Sequence, residues 1–301
     1  MRFRPKIFRV PGADYQIQVV GDQRSPLRDY YHALLRMPWW FTLVSVAVIF
    51  LGANALFACG YLLTGGVAHA PNQPFVFADA FFFSVQTMGT VGYGAMYPES
   101  RAANLLVVVE SLVGVMLTAL VTGLVFAKFS RSTARILFSR EAVISPMDGV
   151  PTLMLRVGNQ RGNKIVDAHI KLTMVRNERT AEGRTFYRML DLKLTRDHIL
   201  SLQRTWSLLH RIDSDSPFFG QSPERIAELE VELLVMITGT DDITMQPVHA
   251  DHRYFSREIL WGRRHADVLT ETPDGNLILD LRPFHETEAT KPTADFPYPR
   301  P

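Results

Sequence analysis

The stretch FVFADAFFFSVQTMGTVGYG, residues 75–94, decides how the rest of the chain is interpreted. Its first part, residues 75–88, is apolar enough to enter a lipid bilayer, but a helix of that length is too short to cross a hydrocarbon core of about 30 Å. A helix that enters and turns back leaves non-helical backbone at membrane depth. Such backbone is tolerated only where it is buried in protein or lines a water-filled path. The residues after the helix are therefore expected to line such a path.

Two apolar segments flank this stretch, and each is long enough to cross a membrane. The predicted spans run from Trp39 to Leu63 and from Asn104 to Phe129. No Asp, Glu, Lys or Arg occurs in residues 37–78, and Glu110 is the only such residue in residues 102–127. Two buried helices of a soluble protein are the alternative, which uncharged runs of this length disfavour.

The residues that end the stretch, Thr90, Val91, Gly92, Tyr93 and Gly94, match a known motif. The same five residues form the selectivity filter of potassium channels, and the interpretation rests on that match. Backbone carbonyls, here expected from Thr90, Val91, Gly92 and Tyr93, replace the water around K⁺. Inward carbonyls at successive levels require alternating backbone conformations, and Gly92 and Gly94 reach positive φ without a Cβ penalty. One chain supplies one wall of such a ring, so a homotetramer is implied.

The distribution of basic residues predicts the orientation in the membrane. The segments outside the two spans are rich in Lys and Arg, whereas the segment between them contains only Arg101, so both termini are expected in the cytoplasm. Residues 25–36 are predicted to form an amphipathic helix along the membrane surface. Basic residues near the span ends are candidates for binding anionic lipid headgroups: Arg28, Arg36, Lys128, Arg131, Arg135 and Arg140.

Composition argues against several other classes. A net charge of +2, without basic runs interleaved with aromatic residues, disfavours a nucleic-acid partner. Cys59 is the only cysteine, so an intrachain disulfide is impossible. The N-terminus lacks an early apolar core with a small-residue cleavage site, and a removable signal peptide is not expected.

The residues after the second span predict an all-β sandwich with one short helix. Strands are predicted at residues 152–157, 168–175, 190–194, 232–237 and 266–270, where apolar and polar residues alternate between turn signals. Residues 222–229 open with a helix-start pattern. The predicted organisation is a cytoplasmic N-terminus (1–37), a two-helix pore domain (38–138), a cytoplasmic sandwich (139–286) and a disordered tail (287–301).

Several stretches together resemble the bacterial inward-rectifier potassium channels, from residue 28 to residue 285. They are AFFFSV with the filter, TGLVFAKF at 122–129, LRVGN at 155–159, HRID at 210–213 with Ser216-Pro217, and EILWG at 258–262. The resemblance implies a membrane helical pore with a re-entrant helix, an immunoglobulin-like cytoplasmic domain, and passive K⁺ conduction across the inner membrane. It also implies a voltage-gated channel class, gating by the inner helices and cytoplasmic domain, and no enzymatic activity or cofactor.

Residue roles follow from the same resemblance. Phe126 matches a bulky residue at the inner gate, with an ordinary helix contact as the alternative. Gly114 and Gly123 match hinge positions, or else permit close helix packing. Gln86 and Glu110 are expected to support the filter. Gln86 stands where the family often has a glutamate and Met96 where animal relatives have an arginine, so a hydrogen bond from Gln86 is expected in place of an ion pair.

The resemblance also bears on block by Mg²⁺ or polyamines. Thr118 falls at the cavity position where strongly rectifying members have an acid, so weak block is expected. Asp242 matches an acid of the cytoplasmic pore, and Arg184 would partly offset its charge. Asp251 stands where a basic residue is expected, which leaves its role open.

Three other readings remain to be tested. A metalloenzyme is suggested by His249, Asp251 and His252, although a solvated loop explains them better, and Asp213 and Asp215 near His210 fit turn capping. A nucleotide-binding regulatory domain would require a strand, a G-x-G-x-x-G motif and a helix, which the sequence lacks. A membrane-tethered sandwich that acts only as a binding module is disfavoured by the filter.

Overall fold

A computed structural model of the chain describes residues 6–9, 16–19, 34–71, 76–130 and 135–290. The chain divides into two compact units: residues 21–131, here the helical unit, and residues 1–20 with 132–301, here the β-unit. The β-unit begins with a hairpin of β1 (Lys6–Arg9) and β2 (Gln16–Val19). The predicted surface helix over residues 25–36 lies outside the described residues, apart from a helical turn at 34–36.

The helical unit contains two long apolar helices and a short one between them. They are α1 (Trp39–Thr64), α2 (Phe77–Met88) and α3 (Arg101–Phe129). α1 and α3 are long and apolar enough to cross a membrane, at about 39 and 44 Å for 26 and 29 residues. α3 begins three residues earlier than predicted because the Ser100 hydroxyl accepts a hydrogen bond from the Ala103 amide at 3.1 Å. Both predicted spans and the short helix between them are confirmed.

The segments on either side of α2 meet in a small two-stranded sheet. β3 (Val67–Ala68) pairs antiparallel with β4 (Tyr97–Pro98). The amide of Glu99 also donates to the Gly66 carbonyl at 2.6 Å. These bonds join the end of α1 to the start of α3, so the ends of the segment that carries α2 and the filter motif are held together.

The described part of the β-unit after residue 135 consists of strands, one short α-helix and two 3₁₀ helices, Ser256–Glu258 and Arg282–His285. The strands are β5 (Ile136–Phe138), β6 (Ala142–Met147), β7 (Val150–Asn159), β8 (Ile165–Arg179), β9 (Thr185–Asp191), β10 (His198–Leu202), β11 (Thr205–Arg211), β12 (Glu232–Asp241), β13 (Pro247–Phe255), β14 (Ile259–Trp261), β15 (Arg263–His265), β16 (Leu269–Glu271), β17 (Leu277–Leu279) and β18 (Thr287–Ala289). The helix α4 spans Pro223–Glu228, capped by Ser222 as the helix-start pattern predicted.

Two sheets face each other across one core. One has the order β10-β8-β12-β13, with β9 also paired to β8, and the other has the order β11-β7-β6-β14, with β5 also paired to β7. Alternate residues point inward, so that Leu155 of β7 and Leu172 and Val235 of the facing sheet lie in a single buried apolar cluster. The predicted sandwich is therefore confirmed.

Two predicted strands are partly wrong, and the reason is the same in both. β9 ends at Asp191, but Leu192 and Leu194 beyond it are buried. β16 begins at Leu269, although Ala266 and Val268 before it are also buried. Alternation of apolar residues reports burial, and irregular backbone can bury alternate side chains as well as a strand can.

Two predicted boundaries also differ from the structure. Ile136–Phe138 was assigned to the pore domain but pairs with β7, so it belongs to the sandwich. The tail was predicted to be disordered from residue 287, but Thr287–Ala289 pairs with Arg263–His265, and Arg263 donates to the Thr287 carbonyl at 2.7 Å. Residues 291–301 lie outside the described residues.

Candidate conduction pathway

The filter motif follows directly from the C-terminal end of α2. The Gln86 carbonyl accepts hydrogen bonds from the amides of Val91 at 2.8 Å and Gly92 at 3.3 Å, and the Thr87 carbonyl accepts one from Thr90 at 3.1 Å. These bonds fix where the extended segment leaves the helix. The Gln86 carbonyl therefore anchors the motif to the end of α2. The hydrogen bond expected from the Gln86 side chain remains a prediction.

Backbone conformation alternates along the motif. Thr90, Gly92 and Gly94 have positive φ angles of 55°, 55° and 80°, whereas Val91 and Tyr93 between them do not. The predicted positive φ at Gly92 and Gly94 is confirmed, and the same conformation at Thr90 was not predicted. Alternation of this kind turns successive carbonyls toward one side of the chain. The side chains of Val91 and Tyr93 are 49% and 78% exposed in the single chain.

A buried polar cluster lies between the three helices of the helical unit. The Glu110 carboxylate, 0% exposed, accepts a hydrogen bond from the Tyr61 hydroxyl at 2.5 Å and another from the Ser84 hydroxyl. Ser84 also lies 2.9 Å from Asn54 Oδ1, and Asn54 Nδ2 donates to Met88 Sδ at 3.4 Å. The cluster therefore joins all three helices of the helical unit.

The structure thus identifies the partners of Glu110, which was predicted to support the filter. The roles of Asn54, Tyr61 and Ser84 were not predicted from the sequence, although one signal was available. Polar side chains within apolar membrane segments are costly unless they are paired, so each one predicts a partner on a neighbouring helix.

The two glycines predicted as hinges have different surroundings. A Cβ on Gly114 would lie 2.7 Å from the Met88 carbonyl oxygen and 3.1 Å from Met88 Cγ, so α3 contacts the end of α2 there through its backbone. A Cβ on Gly123 would meet nothing within 4 Å. Close packing therefore explains Gly114, whereas the surroundings of Gly123 in the single chain require no glycine.

The predicted cavity and gate residues are on exposed parts of α3. Thr118 donates its hydroxyl to the Gly114 carbonyl at 2.9 Å, which leaves its oxygen free to accept. Phe126 follows about 12 Å further along the helix and is 72% exposed. A bulky apolar side chain with this exposure is available to contact lipid, another chain or a pore axis.

One predicted lipid-binding residue is occupied within the chain. Lys128 is 9% exposed, and its ammonium group donates to the carbonyls of Leu34 at 3.2 Å and Met37 at 2.7 Å and to Thr42 Oγ1 at 2.5 Å. It also lies 5.1 Å from the centre of the Trp39 ring. All three N–H donors have acceptors, so Lys128 fastens the end of α3 to the start of α1. The prediction that Lys128 contacts lipid headgroups is therefore wrong, because its ammonium group is buried and already has three acceptors.

The other basic candidates are consistent with solvent or lipid contact. Arg36 is exposed in the helical unit, and Arg135 and Arg140 are exposed in the β-unit. Arg28 and Arg131 lie outside the described residues.

The predicted acid of the cytoplasmic pore sits beside a structural one. Asp242 is half-buried, and its Oδ1 accepts a hydrogen bond from the Lys164 amide at 2.8 Å. Asp241 is buried and accepts bonds from the amides of Ile243 at 3.0 Å and Thr244 at 2.9 Å. These bonds lower the pKa of Asp241 and hold the turn, whereas Asp242 keeps a carboxylate oxygen for another partner.

The groups that suggested a metalloenzyme do not form a site. His249, Asp251 and His252 lie in β13 rather than in the predicted loop. Because side chains alternate along a strand, His252 faces the opposite side from the other two. It stacks on Phe138 with ring centroids 5.4 Å apart, and burial lowers its pKa.

The second acid and histidine group has a structural role. The predicted turn capping is confirmed, because Asp213 Oδ1 accepts a hydrogen bond from the Asp215 amide at 3.2 Å. His210 is buried, with Nδ1 2.8 Å from the Lys193 carbonyl and Nε2 2.8 Å from the Ser216 hydroxyl. Nδ1 must donate to that carbonyl, and in a neutral ring Nε2 would accept from the Ser216 hydroxyl. Burial lowers the His210 pKa accordingly.

Comparisons with known proteins agree with this architecture. The family model of the inward rectifier potassium channel C-terminal domain matches residues 136–297, and an ion channel family model matches residues 41–131. Over 283 residues the chain is 41% identical to inward rectifier potassium channel Kirbac3.1 of Paramagnetospirillum magnetotacticum, covering 94% of this chain and 96% of that protein. It is 35% identical over 239 residues to human inward rectifier potassium channel 4, covering 74% of this chain and 53% of that protein.

Two long apolar helices, a re-entrant helix and a β-sandwich thus define an integral membrane channel. The chain belongs to the inward rectifier potassium channel family, whose members are ion channels and not enzymes. Potassium is accordingly the permeant ion. One expectation is corrected, because the designation as a voltage-gated channel does not fit this family.

Proposed function

We propose that the chain is one subunit of a homotetrameric, potassium-selective inward rectifier whose filter is residues 90–94. The observation that carries the proposal is positive φ at Thr90, Gly92 and Gly94, directly after a helix whose Gln86 carbonyl anchors the segment. Carbonyls of Thr90, Val91, Gly92 and Tyr93 would then face one axis. A single chain provides one wall of the ring, so four copies are required to replace the hydration shell of K⁺.

Exposed apolar surface in the helical unit supports the oligomeric part of the proposal. Leu63 is 89% exposed, Phe129 74% and Leu120 69% in the single chain. Apolar side chains exposed over a whole helical surface pack most favourably against lipid or against another apolar chain. Tyr93 and Val91, exposed beside the filter, would brace it against the neighbouring subunits.

Gating is proposed at the inner end of α3 and through the cytoplasmic β-unit. Four Phe126 side chains around one axis would form an apolar ring that closes the pore by dewetting. Because Gly114 is packed on Met88, α3 would have to bend at a position other than Gly114. Gly123, which has free space around it, is therefore the better hinge.

Orientation, localisation and lipid response complete the proposal. Both termini lie in the cytoplasm and the channel resides in the bacterial inner membrane, with the pore domain near residues 38–135 and the sandwich beyond it. Anionic headgroups bind Arg36, Arg135 and Arg140, together with Arg28 and Arg131. Each basic group near an anionic surface contributes about 1 kcal/mol, which salt screens.

Block by Mg²⁺ or polyamines is proposed to be weak. Thr118 offers hydroxyl dipoles in the cavity where a ring of carboxylates would hold a multivalent cation. Asp242 contributes the charge of the cytoplasmic pore, and one of its oxygens already accepts the Lys164 amide.

Flux through the purified full chain in liposomes tests the proposal. Rubidium uptake is expected to exceed sodium uptake at least about tenfold, from particles with the mass of a tetramer, and to depend on the fraction of anionic lipid. A membrane-tethered binding module would pass neither ion. Equal uptake of both ions, or a monomer without uptake, would contradict the filter assignment.

A further inference from the structure

We propose that Asp167, His169 and His198 form a binding site for a divalent transition-metal ion of the zinc class. One ligand atom from each residue lies within 4.8 Å of the other two. The group lies in the β-unit, on the outward face of the sheet that contains β8, β10, β12 and β13. This inference does not depend on the proposed function.

Strand pairing brings the two histidines together. His169 of β8 and His198 of β10 are direct partners across the antiparallel pair, so their side chains share one face. Their rings stack with centroids 4.4 Å apart and an interplanar angle of 18°. The side chains are 56% and 38% exposed, so an ion in solution reaches both.

A distortion of β8 directs the aspartate toward both rings. Asp167 has a φ of 54°, which non-glycine residues rarely adopt, and the register between β8 and β12 shifts beside it, between Thr238 and Thr240. A bulge of this kind redirects a side chain. Asp167 Oδ1 consequently lies 2.7 Å from His198 Nε2 and 3.4 Å from His169 Nε2.

The opposite strand is shaped to accept the distortion. Gly239 of β12 lies opposite the bulge, and a Cβ there would be 2.5 Å from Ile165 Cγ2 and 3.1 Å from the Val166 carbonyl oxygen. A side chain at this position would push β12 away from β8. The conformation of Asp167 is therefore held by the sheet itself.

The donor set selects the class of ion. Two imidazole nitrogens and one carboxylate oxygen suit Zn²⁺, Co²⁺, Ni²⁺ and Cu²⁺, whereas Mg²⁺ and Ca²⁺ prefer oxygen ligands alone. Around a tetrahedral zinc ion, ligand atoms at about 2.0–2.1 Å stand roughly 3.3 Å apart. The separation of 3.4 Å between Asp167 Oδ1 and His169 Nε2 is close to that value. The 2.7 Å between Asp167 Oδ1 and His198 Nε2 is a hydrogen-bond distance that would lengthen by about 0.6 Å around the ion, and rotation of the two exposed rings out of their stack would bring their nitrogens together. Water would fill the remaining position.

Metal titration of the tag-free full chain in detergent tests this site. Co²⁺ is used for its visible absorption and Zn²⁺ for calorimetry. We expect one ion per chain and displacement of Co²⁺ by Zn²⁺. His169→Ala and His198→Ala should each weaken Zn²⁺ binding at least about tenfold, and Asp167→Asn should do so while it keeps the side-chain shape.

His249→Ala is the matched control. His249 is exposed on the same face, paired with Thr238, which pairs with His169, so it lies two strands away at about 10 Å. Its removal should leave the affinity unchanged. Comparison of the size-exclusion profiles of His198→Gln and the native chain distinguishes loss of a metal ligand from misfolding. The proposal would be overturned if His169→Ala and His198→Ala bound Zn²⁺ as tightly as the native protein, or if His249→Ala lost as much affinity as they do. Either result would assign the binding to adventitious surface histidines. Ion flux plays no part in this readout.

Discussion

The helical unit and the β-unit arrange their polar and apolar side chains differently. In the helical unit, Asn54, Ser84 and Glu110 are 0% exposed while Leu56 is 72% exposed and Leu63 89%. In the β-unit, Leu155, Val157 and Leu233 are 0% exposed and belong to one large apolar core. The overall composition, 47% hydrophobic and 21% charged, describes the whole chain and does not reveal this difference between the two units.

The difference follows from the two surroundings. Water makes burial of apolar surface favourable, so a soluble domain has an apolar core. Lipid provides no such force, and buried polar groups must find partners inside the protein because none are available outside. Function in the helical unit is thus expected to depend on backbone conformation and on a few polar contacts, and function in the β-unit on its exposed charged faces.

The largest effect is expected from Gly92→Ala. A Cβ at a φ of 55° costs about 1–2 kcal/mol and turns a carbonyl away from the axis, so selective rubidium uptake should be abolished. Gly275→Ala is the control from the β-unit, since Gly275 has a φ of 76° and free space around it. It should carry a similar local strain and leave uptake intact. Unchanged uptake in Gly92→Ala would show that residues 90–94 do not form the filter.

The next effect compares one buried polar contact in each unit. Glu110→Ala removes the acceptor of the Tyr61 and Ser84 hydroxyls, and Ser139→Ala removes the partner of the Tyr254 hydroxyl and the Arg156 amide. Each unsatisfied group costs about 1–3 kcal/mol.

The melting temperature in nanodiscs should fall further for Glu110→Ala, because lipid supplies no water to replace the lost acceptor. Glu110→Gln, which retains a carbonyl oxygen, should recover most of the loss. If Ser139→Ala proves the more damaging change, the contrast between the two units fails.

A smaller effect separates packing from bending in α3. Gly114→Ala forces a Cβ to within 2.7 Å of the Met88 carbonyl oxygen, an overpacking that costs about 1–3 kcal/mol and should lower the melting temperature. Gly123→Ala meets no atom and gains helix propensity of about 1 kcal/mol, so the protein should be equally or more stable. Reduced flux in Gly123→Ala without loss of stability would support bending at that position. A native melting temperature for Gly114→Ala would contradict the packing role.

The smallest effect concerns charge along the pore. Thr118→Asp places carboxylates in the cavity, and spermine block measured in bilayers should strengthen at least about tenfold, equivalent to about 1.4 kcal/mol. Asp242→Asn, in the β-unit, should weaken the residual block by less. Steep block in the native channel, or no change in Thr118→Asp, would mean that Thr118 does not face the cavity.

Local patterns predicted much of the architecture. Runs without charge predicted α1 and α3, and an apolar run too short to cross predicted α2, because length and apolarity decide how a helix meets a bilayer. Positive φ at Gly92 and Gly94 was predictable from residue type. Positive φ at Thr90 was not, because a threonine adopts it only where its surroundings impose it.

Contacts between distant residues account for what the patterns missed. The position of Lys128 at the end of a span predicts a basic residue at the membrane surface. In the structure, its ammonium group instead donates to two carbonyls about 90 positions earlier in the chain. The strand at 287–289 reads as a tail and becomes ordered only through its pairing with residues 263–265.

By itself the sequence determined the two spans, the re-entrant helix, the filter motif and the β-class of the second unit, since each depends on neighbouring residues and on hydrophobicity. Only the tertiary structure decided which polar side chains meet between the three helices, which glycine is packed, and that Asp167 turns toward two histidines on neighbouring strands. Those features depend on backbone positions set by strand register and helix contact. Residues far apart in the chain create them jointly, and the local pattern around any one of them does not identify its partners.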